Sequence, residues 1–309
     1  MEREYAGLIG GCDPDEQGDW GVSNDLFKIR IPELVGRAID EAGREISRYD
    51  AILVDEGQDF HLTWWNLLRR VRREDGEMLL AADATQDLYR RSCYWTDESM
   101  RGAGFEGPWF RLDGCYRFPR ELVPYLRRFA EEFLPRGDIN LPTEVQGDLF
   151  EQPLNLRWLQ VSRPGAVDAC VRAVCDLTAS PTVAWADITL LVSTHEEGLR
   201  CIQALEAPPR NIKVNHVFAL DHASQKKLKM AFWMGDARVK AATVHSFKGW
   251  EARAMVIHIS RAASAGELGA AYVALSRLRR SEGGSFLTVV CSAPELESYG
   301  STWPEFNKC

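Results

Sequence analysis

The sequence predicts an α/β fold made of parallel sheets flanked by helices. Short apolar runs such as AILVDE (51–56) and MLLAAD (78–83) alternate with stretches of helical apolar spacing such as IPELVGRAIDEA (31–42). The runs are apolar almost throughout rather than at every second residue, which suits strands covered on both faces. With 45% hydrophobic and 27% charged positions, 309 residues supply cores for two compact units.

Taken in order, IPELVGRAIDEA is a helix, AILVDE a buried strand, TWWNLLRRVRR (63–73) an amphipathic helix and MLLAAD a second buried strand ending in an acid. Glycine and proline cluster in GFEGPWFRLDG (104–114), the expected domain junction. Beyond it, RELVPYLRRFAEEFL (120–134) is a helix, LRWLQV (156–161) a strand and AVDACVRAVCDLTA (166–179) a helix. DITLLVS (187–193) is a strand and EEGLRCIQALEA (196–207) a helix. The last third supplies VKAATVHS, AMVIHIS and FLTVVCS as strands, with GAAYVALSRLRRS (269–281) as a helix between the last two.

Composition narrows the function classes. The net charge of −8 argues against a protein that coats nucleic acid, while leaving room for a local basic groove. The basic runs RRVRR (69–73), KKLK (226–229) and RLRR (277–280) read first as solvated helix faces. No apolar run approaches the roughly 18 to 20 residues that cross a bilayer, so no membrane partner is expected. The acidic start MEREYAGLIGG lacks the basic and apolar regions of a signal peptide, and the expectation is a cytoplasmic chain. Eight scattered cysteines without a C-x-x-C pair read as reduced, mostly buried thiols rather than a disulfide framework or a zinc site.

The stretch YDAILVDEGQDF (49–60) delivers acids to one spot at the end of a strand. Side chains that follow an apolar run in an open parallel sheet face the crevice at the carboxyl ends of the strands, which places Asp55 and Glu56 there. Asp83 and Gln86 join them if the two acid-ended strands are neighbours. Adjacent acids with separate tasks suit nucleotide hydrolysis, one holding Mg²⁺ on the phosphates and the other orienting the attacking water. The plainer reading is an acidic pair capping a strand at the surface.

DEGQDF, ADATQDLY, LDGCYRF, TVHSFKGWE and YVALSRLRR occur in the order and approximate spacing of motifs II to VI of superfamily 1 helicases of the UvrD/Rep type, and over residues 53–280 the chain resembles that family. The resemblance implies two RecA-like domains with ATP and Mg²⁺ in the cleft between them, acting on single-stranded DNA or DNA with a single-stranded tail. Carried over by position, Asp55 is similar to the Mg²⁺ ligand and Glu56 to the residue that activates water. Gln58 and Gln86 resemble the glutamines that sense the γ-phosphate, and Arg117 and Arg277 the arginines that reach it across the cleft. Tyr116 resembles the tyrosine stacked on adenine. Lys248 and Gly249 belong to the same nucleotide-side motif, in which Glu251 resembles the carboxylate on the ribose. Tyr89, His245 and Lys248 occupy positions that contact the single strand. Taken singly, each has a plainer reading as a surface ion-pair partner, a half-buried aromatic or a satisfied strand histidine.

The sequence also departs from the family. Cys115 stands for a usual asparagine, Ala82 for a glycine and Ser276 for a threonine, while Arg91 replaces a base-stacking tryptophan, with Trp95 nearby. Between Arg117 and Thr243 the second sheet uses most of the interval, leaving no room for a large inserted domain. The phosphate loop G-x-x-x-x-G-K-[ST] does not occur in the sequence; GLIGGCDPDEQGDW (7–20) is glycine-rich but has no lysine and carries acids that repel phosphate.

The expectation is therefore an incomplete first RecA-like domain over 1–108, without its phosphate-loop strand, and a second over 109–309, together the carboxyl-terminal part of a helicase core. A protein partner or the YAGLIGG segment would then complete the open strand edge. The alternatives are a hydrolysis-deficient module that binds DNA or a protein, an active enzyme with an unusual phosphate site, and an unrelated acid-pair enzyme such as a nuclease.

Overall fold

A computed structural model describes residues 26–57, 60–82, 110, 117–134 and 153–309. The chain divides into two compact units, Met1–Arg111 and Leu112–Cys309. Among the described residues no helix is long and apolar enough to cross a membrane.

In the first unit, helix α1 (Ile31–Ala42) begins with Pro32, which needs no intrahelical donor there, and stops at Gly43 in the left-handed region (φ 52°). Strand β1 (Tyr49–Val54), helix α2 (Leu62–Arg70) and strand β2 (Arg72–Leu80) follow. The two strands pair in parallel, with Ile52 opposite Met78, Leu53 opposite Leu79 and Val54 opposite Leu80. An Arg70–Asp40 ion pair ties α2 to α1.

Two expectations change here. The helix expected over 63–73 ends at Arg70, because the Arg48 guanidinium caps the Arg70 carbonyl at 3.0 Å and the Tyr49 N–H takes the Val71 carbonyl into the sheet at 2.9 Å. The run RRVRR is thus split between the last turn of α2 and the start of β2, rather than lying on one helix face. AILVDE is also less buried than its composition suggests. Val54 is covered, but Leu53 is 73% exposed and its partner Leu79 62%, so helices cover only one face of this two-stranded sheet among the described residues.

The second unit is a seven-stranded, wholly parallel sheet flanked by helices, consistent with a RecA-like fold. Its elements are α3 (Val123–Phe133), β3 (Leu154–Gln160), α4 (Ala166–Ala179), β4 (Ile188–Val192), α5 (His195–Glu206), β5 (Val214–His216) and α6 (His222–Ala231). They continue with β6 (Val239–Thr243), β7 (Ala254–Ile259), α7 (Ala265–Leu275), β8 (Ser285–Cys291), α8 (Glu297–Gly300) and β9 (Glu305–Lys308). The strand order is β5-β6-β4-β7-β8-β3-β9. Every residue of β4, β6 and β7 is buried, as expected where parallel strands are covered on both faces. Even Lys240 in β6 is enclosed, its ammonium held by the Ala186 and Asp236 carbonyls.

Both edges of this sheet escaped the periodicity reading. β5 has three residues and β9 the polar sequence EFNK, so neither shows an apolar run, whereas KKLK lies on helix α6 with Lys226 and Lys227 exposed, as read from the sequence. The helix expected over 269–281 instead covers Ala265–Leu275. Its start is set by a capping box between Ser264 and Glu267, and it stops at Ser276, beyond which Leu278 bridges Ala252. RLRR is accordingly a packed corner rather than a solvated helix face, with Arg277 only 2% exposed.

An aromatic cluster carries α3. Trp158 of β3 is fully buried and meets Tyr299 and Trp303 at centroid distances of 5.5 and 5.2 Å. Tyr299 stands edge-on to Phe129 of α3 and donates its hydroxyl to the Tyr125 carbonyl at 2.9 Å. Burial raises the Tyr299 phenol well above its ordinary pKa. Among the described cysteines, Cys170, Cys201 and Cys291 are buried, Cys175 is half-buried and Cys309 exposed.

Candidate functional site

In the first unit the carboxylates sit on a stitched turn. Asp55 and Glu56 follow the last residue of β1, and the turn is sewn to the exit of β2 by Ala81 N–H to the Val54 carbonyl and Gly57 N–H to the Ala81 carbonyl, both 2.8 Å. Glu56 takes φ 53°, uncommon for a side-chain-bearing residue, and its N–H donates to Asp55 Oδ1 at 2.8 Å. A Cβ at Gly57 would come within 2.1 Å of Leu80 Cδ1 and 3.1 Å of the Ala81 carbonyl, so a larger residue here requires the Leu80 side chain to move. Asp55 is exposed and Glu56 half-buried. Phe60, Trp64 and Trp65 pack together just downstream, with ring centroids 5.4 and 5.7 Å from Phe60, and anchor the return of the turn. The acid-ended strands are neighbours, as the juxtaposition of Asp55 with Asp83 requires. Asp83, Gln58, Gln86, Tyr89 and Tyr116 themselves lie outside the described residues.

In the second unit, three segments far apart in sequence meet at one corner. Arg280 N–H donates to the Arg117 carbonyl at 2.8 Å, Arg279 N–H to the Ala252 carbonyl at 2.9 Å, and Ala252 N–H to the Arg277 carbonyl at 3.2 Å. Over this backbone frame the Arg117 guanidinium lies 3.5 Å from Glu251 and 4.7 Å from the centre of the Phe118 ring. Both members of the ion pair are about three-tenths exposed, while Arg117 Nε is buried without an acceptor. Arg277 is enclosed instead of projecting, and its Nε donates to the Val273 carbonyl at 3.3 Å.

The loop from Thr243 to Glu251 reaches this corner by crossing the sheet. Thr243 Oγ1 accepts from Ser246 N–H at 3.1 Å and closes a tight turn, so His245 lies in a 3₁₀ turn past the end of β6 rather than on a strand. Fully buried Phe247 anchors the loop, and Gly249 at φ 82° redirects it toward Trp250 and Glu251. Thr243 is level with Val192, whereas Ala254 is level with Ile188 at the other end of the same strand. His245 therefore belongs to the carboxyl edge of the sheet and Glu251 to the amino edge. Five strand residues at about 3.3 Å each put roughly 15 Å between those edges. The structure thus gathers Arg117, Glu251 and the Arg277–Arg280 corner and sets His245 apart, with Lys248 and Gly249 on the connecting loop.

A further polar chain at the carboxyl edge was invisible in the sequence, because its members come from three separate elements with no motif. His258 of β7 lies 3.1 Å from Ser292 Oγ through Nε2 and 3.5 Å from Glu197 Oε2 through Nδ1. The outer distance is long for a hydrogen bond, so the Glu197 contact is chiefly coulombic. At 4% and 8% exposure, His258 and Ser292 leave a substrate no approach, and the chain ties α5 to β7 and the exit of β8.

Burial alone would raise the Glu197 carboxyl. The His258 imidazole and the Thr194 cap outweigh it and hold the carboxyl below its ordinary 4.5. A lowered carboxylate stabilises the fold above the unfolded-state pKa, and that contribution is lost as pH falls through the folded value. Glu197→Gln is expected to cost about 1 kcal/mol at neutral pH and to flatten the acid limb of stability below about pH 4.5. Denaturant melts across that range check this, and an unchanged acid limb would remove the tie.

Comparison with protein families gives no match, and comparison with curated proteins gives none. Among solved structures, the chain is similar to the C-terminal domain of a possible DNA helicase from Lactobacillus plantarum WCFS1, at 15% identity and a TM-score of 0.37 over 58% of this chain and 89% of that one.

Proposed function

We propose that this chain works as part of a UvrD-like, ATP-dependent motor on single-stranded DNA. The observation that carries the reading is the corner where Arg117, Glu251 and the Arg277–Arg280 segment, drawn from three of the helicase-like motifs, are held on one backbone frame. A partly exposed ion pair whose charges lie 3.5 Å apart is worth no more than about 1 kcal/mol, so Arg117 can exchange Glu251 for a phosphate oxygen at little cost. Its buried, acceptorless Nε fits such a ligand.

ATP would supply the phosphoanhydride bond whose cleavage drives movement. In this reading Asp55 offers one exposed carboxylate to Mg²⁺, which binds through one or two carboxylates together with substrate phosphates. Glu56 orients the water, Gln58 and Gln86 sense the γ-phosphate, and Tyr116 stacks on the base. Arg117 and Arg277 stabilise developing charge, Arg277 only after the Arg277–Arg280 corner rearranges to release it. Lys248, Gly249 and Glu251 form the nucleotide-side loop, while Tyr89, His245 and Lys248 face single-stranded DNA.

One observation favours a second reading. Without the G-x-x-x-x-G-K-[ST] loop, the largest group of phosphate donors is lacking from these residues. A hydrolysis-deficient module that binds DNA or a protein partner would keep the corner and lose turnover.

Calorimetric titration with ATP·Mg²⁺, with and without single-stranded DNA, tests both. Residues 1–309 are expected to bind ATP far more weakly than a complete helicase, with DNA tightening the binding. Phosphate release stimulated by DNA selects the motor. Nucleotide or DNA binding without release selects the module. If the chain binds neither ATP nor DNA, both readings fail.

A further inference from the structure

The basic run KKLK is not used by the nucleotide-side corner. It lies on α6, which follows edge strand β5 in the chain, among apolar side chains that are largely exposed. Leu220, Met230 and Trp233 are 80%, 81% and 64% exposed. The start of the helix is fixed by local hydrogen bonds. Asp221 caps it by accepting from Ser224 N–H at 2.8 Å, and buried Gln225 donates to the Ala219 carbonyl at 3.0 Å. The outer face carries Ala223, Lys226, Lys227, Met230 and Ala231 around an open groove of about 420 Å³.

Among the described residues Lys226 and Lys227 are exposed and make no hydrogen bond or ion pair, and the two acids that flank the helix in the chain are engaged elsewhere. Asp221 is occupied as the helix cap. Asp236 is gripped by Arg238, whose side-chain nitrogens lie 2.9 and 2.7 Å away and hold its carboxyl at about 2. Lys226 and Lys227 thus put two positive charges on this face of a chain whose net charge is −8.

One side of the Trp233 ring is covered by its own turn. A Cβ at Gly235 would come within 2.3 Å of its Cζ2, so one side of the indole lies directly on the glycine backbone, and Asp236 N–H closes the turn onto the Trp233 carbonyl at 3.2 Å. The rest of the ring is open to solvent. Exposed lysines followed a few residues on by an exposed aromatic ring supply the two kinds of group that track phosphates and stack bases. A membrane surface fits less well, because Met230 sits among the lysines on the same face, whereas an interfacial helix segregates its apolar and basic faces.

We propose that α6 and Trp233 form a binding surface for single-stranded nucleic acid, with Lys226 and Lys227 on the phosphates and Trp233 stacked on a base. It is separate from His245 and Lys248, and it does not rest on the nucleotide-dependent reading. The test is fluorescence anisotropy of a labelled oligo-dT of about 16 nucleotides, long enough for a site of the usual size, against the full chain across a salt series.

Lys226→Glu/Lys227→Glu is expected to weaken binding at least tenfold and to reduce the salt slope by about 1.4, the release expected for two single-strand phosphates. Trp233→Ala is expected to lose about 5- to 100-fold, with Trp233→Phe restoring most of it. Unchanged affinity and salt slope in variants with wild-type melting would overturn the surface, as would no binding of oligo-dT by the parent chain. Displacement of the oligonucleotide by an oligoglutamate peptide at equal charge would reassign the face to an acidic protein and overturn the nucleic-acid assignment. Loss of ATP binding alone would leave this inference standing, and loss of α6-dependent binding alone would leave the nucleotide reading standing.

Discussion

Arg117→Glu is expected to lower affinity for ATP·Mg²⁺ by about 10- to 100-fold, the range for losing a hydrogen bond to a charged group. The melting temperature should move by no more than a few degrees, because the Arg117–Glu251 pair is partly exposed and contributes less than about 1 kcal/mol. The reciprocal variant Arg117→Glu/Glu251→Arg separates two roles. If Arg117 serves only to pair with Glu251, the swap restores the attraction and with it any binding that depended on the corner's shape. If Arg117 contacts phosphate, the swap leaves a carboxylate where a guanidinium is required, and affinity stays low. Full recovery in the swapped protein, measured with the same titration, would reduce the pair to a structural contact.

The second large effect is on stability. Trp158→Ala is expected to cost about 3 to 5 kcal/mol, the range for emptying a fully buried aromatic site. In a unit of this size that lowers the melting temperature by roughly 10 °C. The cavity would open beneath Tyr299 and Trp303, where Gly300 packs so closely that an added Cβ would lie 2.2 Å from Trp158 Nε1. The damage should spread along a defined route, since Tyr299 holds α3 through Phe129 and the Tyr125 carbonyl, and α3 follows Arg117 and Phe118 in the chain. Hydrogen exchange should therefore rise in 117–134 well before it rises in β4 or β6, whose strands are buried on both faces. Uniform loss of protection, or a melting temperature within about 2 °C of the parent, would contradict this route.

The elements that were legible in the sequence share a cause. AVDACVRAVCDLTA and DITLLVS carry unbroken local patterns, and the observed helix Ala166–Ala179 and strand Ile188–Val192 follow them almost residue for residue. Misreadings arose where a distant partner overrode the local pattern. Arg70 to Arg73 continue a helical spacing, yet Arg48 and Tyr49 claim the carbonyls there and turn the chain into β2. Arg277 to Arg280 look like a solvated basic face, yet Ala252 and Arg117 take up their backbone and bury Arg277. Leu53 and Leu79 look like core, yet helices cover only one side of their strand pair among the described residues.

The candidate site divides the same way. Motif order and spacing marked Asp55, Arg117, Glu251 and Arg277, because the local residue types that phosphate and carboxylate chemistry require are visible in a string. Which of them meet was decided by sheet register: it sends the Thr243–Glu251 loop from one edge of the sheet to the other, parting His245 from Glu251 and delivering Glu251 to Arg117. The Glu197–His258–Ser292 tie and the lysine-and-tryptophan face of α6 were likewise products of tertiary structure. Local sequence can specify a turn, a helix cap or an apolar strand because those depend on near neighbours. Convergence of distant side chains depends on how parallel strands are ordered and aligned, and no short stretch of this chain contains that information.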